Sequence, residues 1–147
     1  MKRIIFLCLL ATISSEYIFA LPNPGAPEKI QELFHHQFPK IEKATFYSYA
    51  DSYEVYFKKE NNFSERVYYN SDGEIIETIK YYSQRELEPF IKEKLNKKYK
   101  GKIIFGITEL QSNTEHFYKI VLQDNNKWYF VKSDDKGSLN IETRLKK

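Results

Sequence analysis

The chain has 147 residues, 23 basic and 20 acidic side chains, a formal charge of +3 and one cysteine. That length allows one compact domain or two very small units sharing a core. So balanced a charge gives no reason to invoke nucleic acid or a membrane surface, and a lone cysteine excludes an internal disulfide, leaving packing to supply stability.

In chain order, the first element is a signal peptide over residues 1–20. Lys2 and Arg3 form a positive start, Ile4 to Ile13 an apolar run, and Ile18-Phe19-Ala20 a cleavage site before Leu21. The run is too short for a bilayer core of roughly 30 Å; a retained N-terminal anchor is the alternative. Cys8 would leave with the signal, so the exported chain would carry no cysteine. Export without disulfides points to a periplasmic or secreted location, with no integral membrane segment after cleavage. Residues 21–26 read as a flexible leader.

Pro27 opens a helix with Ile30, Leu33, Phe34 and Phe38 on one face, and Pro39 stops it. Strand-like runs follow at Ala44 to Ala50, Tyr53 to Lys59 and Phe63 to Asn70. The turn Ser71-Asp72-Gly73 then leads into Glu74 to Tyr82. The order then starts again. Ser83 and Glu86 have the spacing of a capping box, Leu87, Phe90, Ile91, Leu95 and Tyr99 form the apolar face, and Gly101 ends the helix. Strands are expected at Lys102 to Leu110, Glu115 to Gln123, Lys127 to Lys132 and Ser138 to Arg144, the last two joined by a turn at Ser133 to Gly137.

The two passages align: Ile30 with Ile91, Phe38 with Tyr99, Val55 with Ile120, Phe57 with Leu122, and Gly73 with Gly137. The sequence therefore predicts an α+β fold of two tandem helix-plus-four-strand units, 27–82 and 83–147, in one antiparallel sheet with the helices on one face. Each unit alone would bury too little to be stable, and joining them edge to edge covers two strand edges.

Helix, then Phe38-Pro39, then "YEVYFKK" (Tyr53 to Lys59), then "YYNSDGEIIET" (Tyr68 to Thr78), repeated after an exported N-terminus, resembles the PepSY-like, β-lactamase-inhibitor-like periplasmic proteins of Bacteroidetes. The second copy departs from the pattern, with Lys100-Gly101 in place of Phe-Pro and a longer "QDNNKW" turn. The resemblance implies helices on one face and a concave sheet on the other, and supplies no catalytic residue.

Nothing in the sequence assembles a reaction centre. There is no Gly-x-Ser-x-Gly elbow, and His35, His36 and His116 read as surface residues. Adjacent histidines on a helix point about 100° apart and cannot chelate as an i, i+4 pair could. Asp134-Asp135-Lys136-Gly137 lacks the alternating ligands of a calcium loop. Neither a metal, a cofactor nor an enzymatic activity is expected. The aromatics carry the functional expectation instead. If Val55, Phe57, Val67 and Tyr69 face the helices, strand alternation turns Tyr56 and Tyr68 away, and Phe117, Trp128 and Phe130 are their counterparts in the second unit. These five are the candidate protein-binding face, because exposed Tyr, Trp and Phe dominate binding hot spots. The expected function is an exported, non-enzymatic module that grips another exported or envelope protein, in the manner of an enzyme inhibitor, with a peptidase or other hydrolase as the implied target class. The competing readings are a small-molecule, glycan or peptide binder, or rings covered by the chain itself or by a dimer mate.

Overall fold

The computed structural model describes residues 23–60 and 63–147. The expected signal peptide and Cys8 lie outside the described residues. The chain folds in the order β1 (Asn23–Pro24), α1 (Glu28–Gln37), β2 (Ala44–Ser48), β3 (Ser52–Lys58), β4 (Ser64–Asn70), β5 (Ile75–Tyr82), α2 (Pro89–Lys98), β6 (Ile103–Ser112), β7 (His116–Gln123), β8 (Lys127–Asp134) and β9 (Leu139–Lys146). All nine strands form one antiparallel sheet in sequential order. Among the described residues the class is α+β: an open sheet of eight full strands and one two-residue edge strand, with two helices.

Side-chain alternation decides where the core lies. Val55, Phe57, Val67 and Tyr69 point to one face and bury Ile30 and Phe34 of α1, each no more than 2% exposed. Farther along, Tyr82, Ile107, Ile120, Leu122 and Val131 receive Ile91 and Leu95 of α2 in the same way. Cross-strand pairing keeps both sets on one side, since Val67 lies opposite Thr78 and Tyr82 opposite Ile107. Phe63, from the chain before β4, stacks on Tyr82 with ring centroids 5.6 Å apart and packs against this second cluster.

The turns before β5 and β9 are built alike. Asn70 Oδ1 accepts the backbone N–H groups of Asp72 and Glu74 at 3.0 and 2.9 Å, and the Gly73 N–H donates to the Asn70 carbonyl. Asp134 Oδ1 likewise accepts from Lys136 and Ser138 at 3.0 and 2.7 Å, with Gly137 donating to its carbonyl. An Asx side chain bonded to the backbone two residues on holds such a turn. Gly73 and Gly137 sit at φ +91° and +77°, where a side chain would be strained.

Three local expectations need correction. Part of the leader is docked: Asn23 and Pro24 pair with Ser48 and Tyr47, and the Gly25 N–H donates to the Phe46 carbonyl at 2.8 Å. The edge of β2 offers free backbone groups that this segment satisfies. Second, α2 begins at Pro89 rather than Ser83. Proline fits the first helical position and disfavours helical geometry in the residue before it. Ser83 and Glu86 instead bond through their side chains at 2.8 Å in a turn ahead of the helix. Third, Phe90 is 40% exposed and does not join the α2 core, whereas Leu87, which precedes the helix, is buried.

Candidate protein-binding face

The face of the sheet opposite the helices can be read as rows of side chains running across the strands. One row is Tyr47, Glu54, Tyr68, Glu77 and Ser112. The next is Thr45, Tyr56, Arg66, Ile79, Leu110, Phe117 and Asp134. A third is Lys58, Ser64, Tyr81, Thr108, Lys119, Lys132 and Asn140. The last two span only β6 to β9, with Val121, Phe130 and Thr143 in one and Ile103, Gln123, Trp128 and Leu145 in the other.

All five sequence-predicted residues, Tyr56, Tyr68, Phe117, Trp128 and Phe130, stand on this face, divided between its two halves. Their surroundings differ from the expectation in two cases. Phe117 is only 8% exposed, because Lys132 lies over its ring with Nζ 3.9 Å from the centroid. A lysine stem covers apolar surface while its ammonium stays in water, so Phe117 is a floor and not a contact. Tyr68 is half-buried beside Glu54, its cross-strand neighbour. Burial, then the Glu54 charge, pushes its phenol up to about 12.

Glu54 is the feature that sequence reasoning missed in the first half. It points away from the helices, yet it is 2% exposed. Tyr49 Oη donates to Oε2 at 2.9 Å and the Arg66 guanidinium donates to Oε1. Arg66 also lies over Tyr56, 5.1 Å from the ring centroid. A carboxylate is tolerated at such depth only when it is paired and hydrogen-bonded, and here the tyrosines supply the cover and the arginine the charge. The result is a fixed polar and aromatic surface in which Tyr56 and Arg66 are held as a unit.

In the second half the missed residue is Phe105. A bulge between Ile104 and Gly106 lets β6 bury Ile107 and pack Ile104 against the core while turning Phe105 to the open face, where it is 65% exposed. Its ring meets Trp128 edge-on at 4.8 Å. Leu145, 50% exposed, is the cross-strand neighbour of Trp128, and Ile103, 65% exposed, lies in the same row. Strict alternation through "IIFGI" would have buried Phe105 with Ile107; Gly106 was the available signal, since glycine within a strand often marks a bulge.

The histidines are not gathered at this face. His35 and His36 are exposed on α1. His116 lies on the helix side, where its Nε2 is 3.0 Å from Glu109. Among the described residues no group of three or more potential ligands is placed to hold a metal ion, and no helix is long and apolar enough to cross a membrane. A cleft of about 770 Å³ opens at the end of β2 and β3, bordered by Lys40, Lys43, Lys58 and Lys59 with Glu42 and Glu60.

No family model matches the chain, and no curated protein matches it. Solved structures do share its fold. A DUF2874 family protein from Bacteroides ovatus is 17% identical with a TM-score of 0.62, over 84% of this chain and 89% of that one. A candidate periplasmic protein from Bacteroides eggerthii is 15% identical with a TM-score of 0.61, over 83% of this chain and 89% of that one. A BLIP-like protein from Bacteroides fragilis is 10% identical with a TM-score of 0.62, over 83% and 86%. At these identities the likeness is one of fold.

Proposed function

We propose that this protein is an exported, non-enzymatic binding module that grips another protein with the helix-free face of its sheet. The observation that carries this reading is the concentration of aromatic side chains on that face, from Tyr56 under Arg66 in one half to Trp128 against Phe105 in the other. Large rings held by neighbours lose little freedom on binding and bury much area, which suits them to hot spots. The BLIP-like and periplasmic descriptions of two proteins with this fold support an inhibitor-like role outside the cytoplasm; the target class we propose is a peptidase or other hydrolase. Fold alone does not carry function from one protein to another, so the weight stays on the face itself.

The same proposal includes the architecture of the chain as a tandem of two PepSY-like units, 27–82 and 83–147. Its support is the twice-repeated order of one helix and four strands, with the matching Asn70 and Asp134 turns. A second reading, a binder of small acidic ligands, rests on the lysine-rimmed cleft beside β3.

The test is affinity capture from an envelope fraction with the native chain and a Tyr56→Ala/Trp128→Ala variant, thermal midpoints measured in parallel. A captured partner that disappears with the variant, while its midpoint stays within a few degrees of the parent, is the expected result. Equal capture by a folded variant removes the open face from the function. A captured hydrolase should also lose activity on titration with the native chain.

A further inference from the structure

Lys119 and Lys132 are directly opposite one another on β7 and β8, and both point to the open face. Both ammonium groups lie over the same ring, 5.9 and 3.9 Å from the centroid of Phe117. Among the described residues neither forms an ion pair. Like charges at directly opposed strand positions destabilise a sheet. The first half of the same face treats its charges differently, since Glu54 and Arg66 neutralise each other. Asp134, two residues on from Lys132 on the same face, is engaged by its own turn, so the lysines stand unpaired on a half of the face that also carries exposed Phe105 against half-buried Trp128.

We propose that the half of the open face built by β6 to β9 recognises an acidic protein segment, with a carboxylate side chain seated between Lys119 and Lys132. This deepens the protein-binding reading above and rests on it. The segment must also carry an apolar side chain for the Phe105–Trp128 pair. Trp128 and Lys132 are four residues apart on one strand, so the two subsites are about 13 Å apart at the rise of an extended chain. An extended segment spans that distance in about four residues, which makes the recognised pattern one acidic and one bulky apolar residue separated by roughly three others. Phe117 supports the ammonium groups from beneath, and a ring face attracts cations and helps to hold them where a carboxylate would bridge them. Binding such a segment removes the repulsion between the lysines, so the charge pair favours the occupied state.

The experiment selects a random linear peptide library, displayed on phage, against the immobilised native chain and then measures the dissociation constants of enriched peptides. Enriched sequences should carry Asp or Glu at the stated spacing from Phe, Leu, Ile or Trp. Lys119→Gln/Lys132→Gln, a folded variant by circular dichroism, should weaken the best peptide by about tenfold or more, and Phe105→Ala should weaken it independently. Raising salt should weaken binding to the parent and have little effect on what remains in the double glutamine variant. Peptides without an acidic residue, or affinities indifferent to the lysine changes, would overturn the acidic-segment assignment. If such peptides are nevertheless lost on Trp128→Ala, the protein-binding reading survives without it. Failure of any peptide to enrich overturns the assignment as well. So does a demonstration that the two lysines serve instead to bind vesicles of phosphatidylglycerol or to form a dimer in sedimentation.

Discussion

Glu109 shows how one half-buried carboxylate ties strands together on the helix side of the sheet. Tyr82 Oη donates to it at 2.7 Å, His116 Nε2 lies at 3.0 Å and Lys80 Nζ at 3.5 Å. Burial by itself would raise its pKa, but the Tyr82 hydrogen bond, the Lys80 charge and the His116 contact outweigh it and hold the group below its ordinary 4.5. A depressed folded-state value means that the unfolded chain takes up the proton first. The ionised form therefore stabilises the fold above pH 4.5, and that contribution is lost as pH falls from there through the folded-state value. Glu109→Gln should flatten this part of the acid limb, which urea midpoints from about pH 7 down to about pH 3 will show. An acid limb identical to the parent's would mean that Glu109 is not the responsible group. At Gly73 the constraint is backbone geometry. An added Cβ would stand 2.4 Å from Leu33 Cδ1, at a φ of +91°. The leucine tip can rotate aside, whereas the dihedral cannot change without opening the turn. Gly73→Val should therefore cost about 1–2 kcal/mol, read as a lowered denaturant midpoint.

At the scale of elements, β3 sets the division between core and open face within two adjacent residues. Phe57 packs among Phe34 and Phe38 with ring centroids 5.3 and 5.2 Å away, and Tyr56 points the other way beneath Arg66. Phe57→Ala leaves a cavity against α1 and should cost roughly 3–5 kcal/mol. Tyr56→Ala loses a cation–π contact and some area, about 1 kcal/mol. Thermal denaturation of the two variants should therefore separate them clearly. Equal losses would place Tyr56 in a core and withdraw it from the proposed binding face. Tyr68 belongs to neither class, since truncating it would uncover the buried Glu54 as well.

Across the whole molecule, the two helix-covered clusters are joined by the pairing of β5 with β6, which runs from Glu77 and Ser112 to Tyr82 and Ile107. Phe63 stacked on Tyr82 adds a packing link on the helix side. A continuous sheet, with Phe63 from the first half packed in the second cluster, favours one cooperative transition over two. Trp128 is the only tryptophan and lies in the second half, so its fluorescence reports on that half alone. Phe34→Ala, in the first cluster, should lower the urea midpoint by Trp128 fluorescence as far as it lowers the midpoint by far-ultraviolet circular dichroism. A fluorescence transition left unmoved would show that the halves unfold independently.

What the sequence alone determined is whatever repeats at short range. Helical spacing placed Ile30 and Phe34 on the buried face of α1, and the period of two assigned Val55 and Phe57 to one face and Tyr56 to the other. Pro39, Gly73, Gly101 and Gly137 marked the interruptions, because each restricts or frees its own backbone. The eight full strands follow from those local rules to within a few residues at their ends. Only the tertiary structure decided which residues meet across strands. Burial of Glu54 depends on Tyr49 and on Arg66 from β4, and the floor role of Phe117 depends on Lys132 from β8. Exposure of Phe105 depends on a register shift against β7, and docking of Asn23 and Pro24 on a free edge of β2. Pairing register and edge contacts join residues far apart in the chain. No local spacing encodes them, because the free energy that selects them exists only once the strands lie side by side.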